Sequence, residues 1–209
     1  RQEVAIFWVM NYTGPKVRRA RRVGIALTPK AARVMERKKG GPGEPRRRRR
    51  PRARSDYALQ LLEKQKLRYQ YNVAERQLRN CVQRAASRHG NTEDTLIGML
   101  ETRLDACVLR SGLARTIYAA RQYVSHGHLE VNGRKVNVPS YRLSPGDTLQ
   151  VRQKSRRMAC FREALSTARP PVYLEVDANE LSARLVSLPK RAEVPVECDI
   201  ARVIEFYSR

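Results

Sequence analysis

The sequence predicts an α+β protein: a helical domain, a small α+β domain in which helices pack on a β-hairpin and short sheet, and an extended basic arm at the N-terminal side. Three observations lead there. Apolar residues recur at helical spacing through most of the stretch from Ser55 to Ser125. The period then drops to two around Asn132-Gly133, the residue pair that a tight two-residue hairpin favours. Ahead of both, residues 1–55 hold 18 Lys/Arg against 3 Asp/Glu and show little apolar periodicity.

The arm is taken as residues 1–54. It contains the basic runs "KVRRARR" (Lys16 to Arg22) and "PRRRRRPRAR" (Pro45 to Arg54), and "KGGPGEP" (Lys39 to Pro45) stops any helix that begins before it. It is expected to be mobile alone and to order against a partner. The helical domain is taken as residues 55–98, joined by a C-terminal tail, 196–209. In its first helix Ser55 or Asp56 caps, Leu59, Leu62 and Leu67 face a core, and Lys64, Lys66 and Arg68 spread over the polar side. A second helix buries Ala74, Leu78, Cys81, Val82 and Ala85 and stops at Gly90. A third, capped by Asn91 or Thr92, runs through Leu96, Leu100, Leu104, Cys107 and Val108 to Ser111-Gly112.

The small α+β domain is taken as residues 99–195 and carries a C-terminal β segment. Thr116 caps a short helix over Ile117 to Ser125, with Ala120 and Val124 inward, Arg115, Arg121 and Gln122 outward, and Gly127 at its stop. Leu129 and Val131 lead into the Asn132-Gly133 turn, and Val136 and Val138 lead out of it. "SPGD" (Ser144 to Asp147) turns the chain again, and "TLQVRQKSRR" supplies a strand that runs into basic residues.

Charge narrows the class of partner. The 209 residues carry 43 Lys/Arg, 20 Asp/Glu and a formal net charge of +23, an excess that favours a polyanion. A membrane surface is one polyanion, but no apolar run approaches the roughly 20 residues a spanning helix needs. "VAIFWVM" (Val4 to Met10) is too short for that and lacks the layout of a secretory signal. The four cysteines, Cys81, Cys107, Cys160 and Cys198, stand singly, with no zinc-finger spacing to a histidine. Cys81 and Cys107 lie on apolar stripes, so buried free thiols in a reducing compartment are expected. No Gly-rich phosphate loop, nucleophile elbow or ligand cluster points to an enzyme.

The residues now carry a resemblance. "LETRLDACVLRSGLARTIYAARQYVSHGHLEVNGRKV" (Leu100 to Val136) resembles the small RNA-binding domain of the family of small-subunit ribosomal protein four. That domain also occurs in bacterial-type tyrosyl-tRNA synthetases, some pseudouridine synthases and a heat-shock ribosome-binding factor. The flanks "NYTGPKVRRARRVG" (Asn11 to Gly24), "SDYALQLLEKQKLRYQYNVAERQLR" (Ser55 to Arg79), "PSYRLSPGD" (Pro139 to Asp147), "YLEVD" (Tyr173 to Asp177) and "EFYSR" (Glu205 to Arg209) resemble the bacterial or organellar ribosomal protein. The resemblance implies a structural constituent of the small ribosomal subunit that binds its rRNA directly and early, at a multi-helix junction of the 5′ domain. It also implies a role in nucleating assembly, small-subunit protein five as a neighbour, a place near the path by which mRNA enters, a contribution to decoding accuracy, and a ribosome of the bacterial cytoplasm or of an organelle. A stand-alone RNA-binding quality-control or assembly factor is the alternative; it needs neither the arm nor the "EFYSR" terminus.

The chain departs from the family in three places. Many members bind zinc through an N-terminal cysteine cluster, whereas no Cys or His lies between Arg1 and Gly43, so neither metal nor other cofactor is expected. The family's Pro-Pro-Gly-x-His-Gly segment survives only as "GGPGEP" (Gly40 to Pro45). Residues 1–9 precede the Met10 that aligns with the usual start, as from a clipped extension or a different start site.

RNA affinity needs cations at phosphates and planar or stacking groups at unpaired bases. The expected contacts in the arm are Tyr12, Lys16, Arg18, Arg19, Arg21, Arg22, Arg46, Arg47, Arg48, Arg49, Arg50, Arg52 and Arg54. In the helical domain they are Tyr57, Lys64, Lys66, Arg68, Arg76 and Arg79, and Tyr69 and Tyr71 are further stacking candidates. In the α+β domain Arg103, Arg115, Arg121, Arg134 and Lys135 are expected to converge on one face, joined by Thr116, Gln122, Ser125, His126, His128, Asn132 and Gly133. The rival reading of Arg103 and Arg121 is a surface ion pair with Glu101 or Asp105. His126 and His128 read as RNA contacts or turn hydrogen bonds, and His89 as a solvated helix-end cation.

Overall fold

A computed structural model describes residues 12, 14–38, 41–42 and 55–208. The α+β class holds. Within the segment expected to be an extended arm, two helices form, α1 (Lys16–Val23) and α2 (Pro29–Arg37). Gly24 ends α1 at φ 78°, and Thr28 caps α2 by accepting a hydrogen bond from the Ala31 N–H, with Pro29 in the first turn. Ala20, Val23, Ile25 and Ala31 are buried, and α1 packs on α2 and α3. The apolar residues of α1 and α2 fall on one side of highly charged helices, so the basic runs masked an amphipathic pattern that packs once α3 supplies the facing surface.

The helical part contains α3 (Asp56–Gln70), α4 (Glu75–Ala86), α5 (Thr92–Glu101), α6 (Leu104–Arg110) and α7 (Ile117–Ser125). Ser55 caps α3 through the Ala58 N–H, and Leu78, Cys81, Val82 and Ala85 line the buried side of α4. α4 ends at Ala86, before Gly90, because Ser87 already closes it with Oγ donated to the Arg84 carbonyl. α9 (Ile200–Ser208) returns to lie along α3 and touch α4 and α5.

The expected third helix is two helices. Arg103 stands between α5 and α6 with extended backbone (φ −66°, ψ 141°). There the chain pairs with the loop that follows the hairpin, residues 139–143: Leu104 N–H donates to Tyr141 O, Asp105 N–H to Pro139 O and Leu143 N–H to Thr102 O. These bonds replace the helical ones lost at the break, so apolar periodicity runs through it unaltered.

β1 (Leu129–Val131), β2 (Arg134–Lys135), β3 (Thr148–Val151), β4 (Leu174–Asp177) and β5 (Ser182–Leu185) form one antiparallel sheet in the order β2-β1-β3-β5-β4. Leu129, Val131, Leu149, Val151, Ala183 and Leu185 point from it into the core, and α8 (Ala159–Leu165) adds Phe161. Asn132 (φ 49°) and Gly133 (φ 75°) make the hairpin turn with both central residues at positive φ. Cys81 and Cys107 are buried free thiols; Cys160 and Cys198 are free and half-buried.

Candidate nucleic-acid interface

Among the described residues, helix α4 presents the most open run of cations. Arg76, Arg79, Arg84 and, just beyond the helix, Arg88 are exposed on the side opposite Leu78, Cys81, Val82 and Ala85. The exposed positions between them are Gln77, Asn80, Gln83, Ala86 and Ser87, so no carboxylate interrupts the stripe. Arg76, Asn80, Arg84 and Arg88 follow each other at four-residue spacing, which stacks them along one line.

A second exposed set lies at the hairpin. Arg134 and Lys135 are solvent-facing on β2, Gln122 on α7 and His126 just after it. Gly127 (φ 70°) faces the Lys135 stem closely enough that a Cβ there would lie 2.4 Å from Lys135 Cε. Arg115 is exposed and only loosely tied to Glu163 at 3.6 Å. Thr116 accepts from the Ala119 N–H as the α7 cap. Ser125 is half-buried, and Gly133 serves the turn. The Asn132 side chain joins the turn framework instead of facing a ligand: it donates to Asp147 Oδ1 at 2.8 Å and accepts from the Thr148 N–H at 2.9 Å.

Arg103 and Arg121 do not join that face. Their side chains are only 6% and 8% exposed and share the carboxylate of Asp105, itself wholly buried. Arg103 binds it through Nε (3.0 Å) and Nη2 (2.8 Å), and Arg121 Nη1 reaches Asp105 Oδ2 at 3.1 Å and the Asn72 carbonyl at 3.0 Å. Burial, with Arg103 alongside, pulls the Arg121 pKa down against the pull of Asp105. The ion-pair alternative was right about the partner and wrong about the setting, which is interior. A charged residue on a helix face reads as exposed unless its partner can be seen, and Asn72 belongs to the distant α3–α4 corner.

A second interior network centres on Glu101. Its carboxylate accepts from Tyr71 Oη (2.5 Å), Tyr173 Oη (2.9 Å) and Arg110 Nη2 (2.8 Å) and is fully buried. Burial works against the Arg110 charge, but Glu101 overcomes it and raises the pKa, while burial and Glu101 together raise both tyrosines. Tyr71 is therefore a core residue and not a stacking platform.

Lys64, Lys66 and Arg68 are likewise engaged within the fold. Lys64 is buried against Glu75 (2.9 Å) with its ammonium 4.5 Å from the Phe206 ring centre, Arg68 reaches Glu75 at 3.3 Å, and Lys66 pairs with Glu63 at 2.7 Å. Tyr207 Oη donates to the same Glu75 at 2.7 Å, so one carboxylate ties α3, α4 and α9 together. Burial acts to raise the Glu75 pKa, but bonds from Lys64 and Tyr207 prevail and hold it below the ordinary range. α3 meets neighbours on two sides, α1 and α9, so its apolar pattern understates its burial; Leu59 and Leu62 remain half-buried.

In the arm Lys16 sits 4.4 Å over the Tyr118 ring and Arg19 3.0 Å over Tyr12 and 4.7 Å over Tyr69. Arg21 donates to the Gly41 carbonyl at 3.0 Å, and Arg18 and Arg22 are exposed. Arg46, Arg47, Arg48, Arg49, Arg50, Arg52 and Arg54 lie outside the described residues. Tyr57 is 53% exposed and stacks against Phe206 at 5.7 Å. Tyr118 is buried, and Tyr123 packs on Phe161 at 4.8 Å.

The two turn histidines differ. His126 is exposed, whereas His128 Nδ1 meets Ser155 Oγ at 2.9 Å, and burial, His126 and Arg152 hold its pKa below the usual range. Arg152 donates to the Gly127 carbonyl at 3.2 Å, and Lys154 and Arg157 are exposed beyond it. This second basic turn, adjoining the histidines, was not among the expected contacts; the "RQKSRR" run was its signal. Among the described residues no group of three or more His, Cys, Asp or Glu is placed to hold a metal ion, and no helix is long and apolar enough to cross a membrane.

A family model for the ribosomal protein S4/S9 N-terminal domain matches residues 11–101, and one for the S4 domain matches residues 102–149. A Streptomyces avermitilis protein named small ribosomal subunit protein uS4 is 49% identical over 204 residues, covering 95% of this chain and 99% of its own. The chain belongs to the uS4 family. Proteins of the same name from Thermobifida fusca (45% identical; 96% of this chain, 100% of that one) and Chlorobium phaeovibrioides (44%; 95% and 99%) extend the likeness across bacteria. The uS4 relatives are ribosomal proteins and not enzymes. The S4-domain match begins at Thr102, where the backbone breaks between α5 and α6.

Proposed function

We propose that this uS4-family chain is a structural component of the small ribosomal subunit that binds small-subunit rRNA directly, through the α4 stripe, the α7–hairpin surface and the basic arm. The observation that carries it is the carboxylate-free stripe Arg76, Arg79, Arg84 and Arg88 on a chain of net charge +23. Two units share the work: the helical one, 55–98 with 196–209, and the α+β one, 99–195. The chain binds early and nucleates assembly, lies beside small-subunit protein five and near the path by which mRNA enters, and contributes to decoding accuracy. Its ribosome is that of a bacterial cytoplasm or an organelle, and the bacterial relatives support the former.

Co-sedimentation with the small subunit after a high-salt wash tests the placement. Retention is expected, and complete release favours a stand-alone factor that visits the ribosome. Reconstitution on naked small-subunit rRNA tests the early role: the chain binds without other proteins, and a requirement for one of them defeats primary binding.

A further inference from the structure

A groove of about 520 Å³ opens where four distant stretches of chain meet: the start of α2, the α6–α7 turn, the segment after α8 and the C-terminal linker. Gly112 and Ala168 give its floor small groups, beside Leu109 and the Arg110 that Glu101 holds. Gly112, at φ 82°, lets the α6–α7 turn approach the segment after α8 so closely that a Cβ there would lie 2.1 Å from Ala168 Cβ. Pro29 and Pro171 form stiff apolar walls. At the rim stand Arg115 and Arg169, both exposed, and no carboxylate belongs to the lining. Arg169 has no ion-pair or hydrogen-bond partner among the described residues, and Arg115 is held by Glu163 alone, through its carbonyl at 3.4 Å and its exposed carboxylate at 3.6 Å.

We infer that this groove is a slot for one unpaired nucleotide of rRNA, its phosphate held between Arg115 and Arg169 and its base laid on the Gly112–Ala168 floor between the prolines. The volume falls within the roughly 300–1,000 Å³ of sites that enclose a small molecule. Arginine forks match phosphate oxygens, and an apolar lining accepts the face of a base that a helical junction has left unstacked. An acidic peptide also suits the two arginines, but the chain's net charge of +23 favours RNA, and the crosslinking arm of the test detects the peptide. Pro29 comes from α2, so the slot exists only when the arm's helices are docked, and it couples arm docking to RNA recognition.

The inference rests on the proposed rRNA binding, and its test separates the two. Full-length chain, Arg115→Ala/Arg169→Ala and Thr167→Phe are bound to naked small-subunit rRNA across a salt series, with chemical probing at nucleotide resolution. Thr167 is exposed and lines the groove, so the Phe ring fills the slot without altering charge. Thermal melts confirm that each variant folds.

The double variant is expected to lose about tenfold in affinity and about 0.7 from the log–log salt slope, the share of one single-strand phosphate. Both variants should expose the same single nucleotide, while Thr167→Phe leaves the salt slope unchanged. Wild-type affinity and protection in both variants overturn the slot but not rRNA binding. Failure of the wild-type chain to bind removes the broader reading. If naked-RNA protection is unchanged but assembled subunits lose a protein crosslink at residue 169, the groove holds a protein segment and the inference is wrong.

Discussion

Helices α4 and α7 both carry arginines on faces that look polar in sequence, and they put them to opposite uses. One side of α4 is covered, and Arg76, Arg79 and Arg84 on the other stand in solvent. α7 lies against α6, and its Arg121 bridges inward to Asp105 and to the Asn72 carbonyl at the α3–α4 corner. An arginine's role is thus set by what lies opposite it. The α4 cations are the ones proposed for recognition; those of Arg103, Arg110 and Arg121 are bound to Asp105 and Glu101 inside the fold.

The sharpest break of this contrast is Glu101→Ala. It strands Arg110, Tyr71 and Tyr173 without their shared acceptor, and losing one member of a buried charged set costs about 3–5 kcal/mol. Denaturant unfolding measures the cost, and a loss under about 1 kcal/mol shows that water reaches the site.

Arg121→Ala is expected to cost less, about 1–3 kcal/mol, because Arg103 still neutralises Asp105. Its rRNA affinity, measured well below the melting temperature, should stay near wild type. A large affinity loss with unchanged stability would restore Arg121 to the RNA face.

Arg76→Ala/Arg79→Ala should do the reverse. Stability should move by no more than about 0.5 kcal/mol, while the salt slope of rRNA binding flattens by about 0.7–0.9 for each phosphate contact removed. An unaltered slope takes α4 out of the interface.

The smallest effect concerns Glu75. Its folded pKa lies below the ordinary glutamate value of about 4.3. Its ion pairs therefore contribute fully above that pH and are lost as pH falls through the folded pKa. Glu75→Gln should be less stable than wild type near neutrality, with the gap closing in acid. A gap independent of pH makes the contribution one of packing.

Much of this was legible in the order of residues, because the signals are local. Ser55, Asn91 and Thr116 cap the helices that follow them, Leu78, Cys81, Val82 and Ala85 turn inward at helical spacing, and Asn132-Gly133 closes the hairpin. Each depends on backbone groups or stripes within a few turns of the residue itself. The family was legible for the same reason, since its motifs are continuous runs.

Burial of charge was settled only by tertiary structure. Asn72 lies 49 residues from Arg121, and Tyr173 lies 72 from Glu101. The break at Arg103 depends on strand-like pairing with Arg142, and the arm's helices on the surface of α3. A lone arginine is costly to bury, so a sequence read one segment at a time places it in water; a carboxylate or carbonyl delivered from far along the chain reverses that balance.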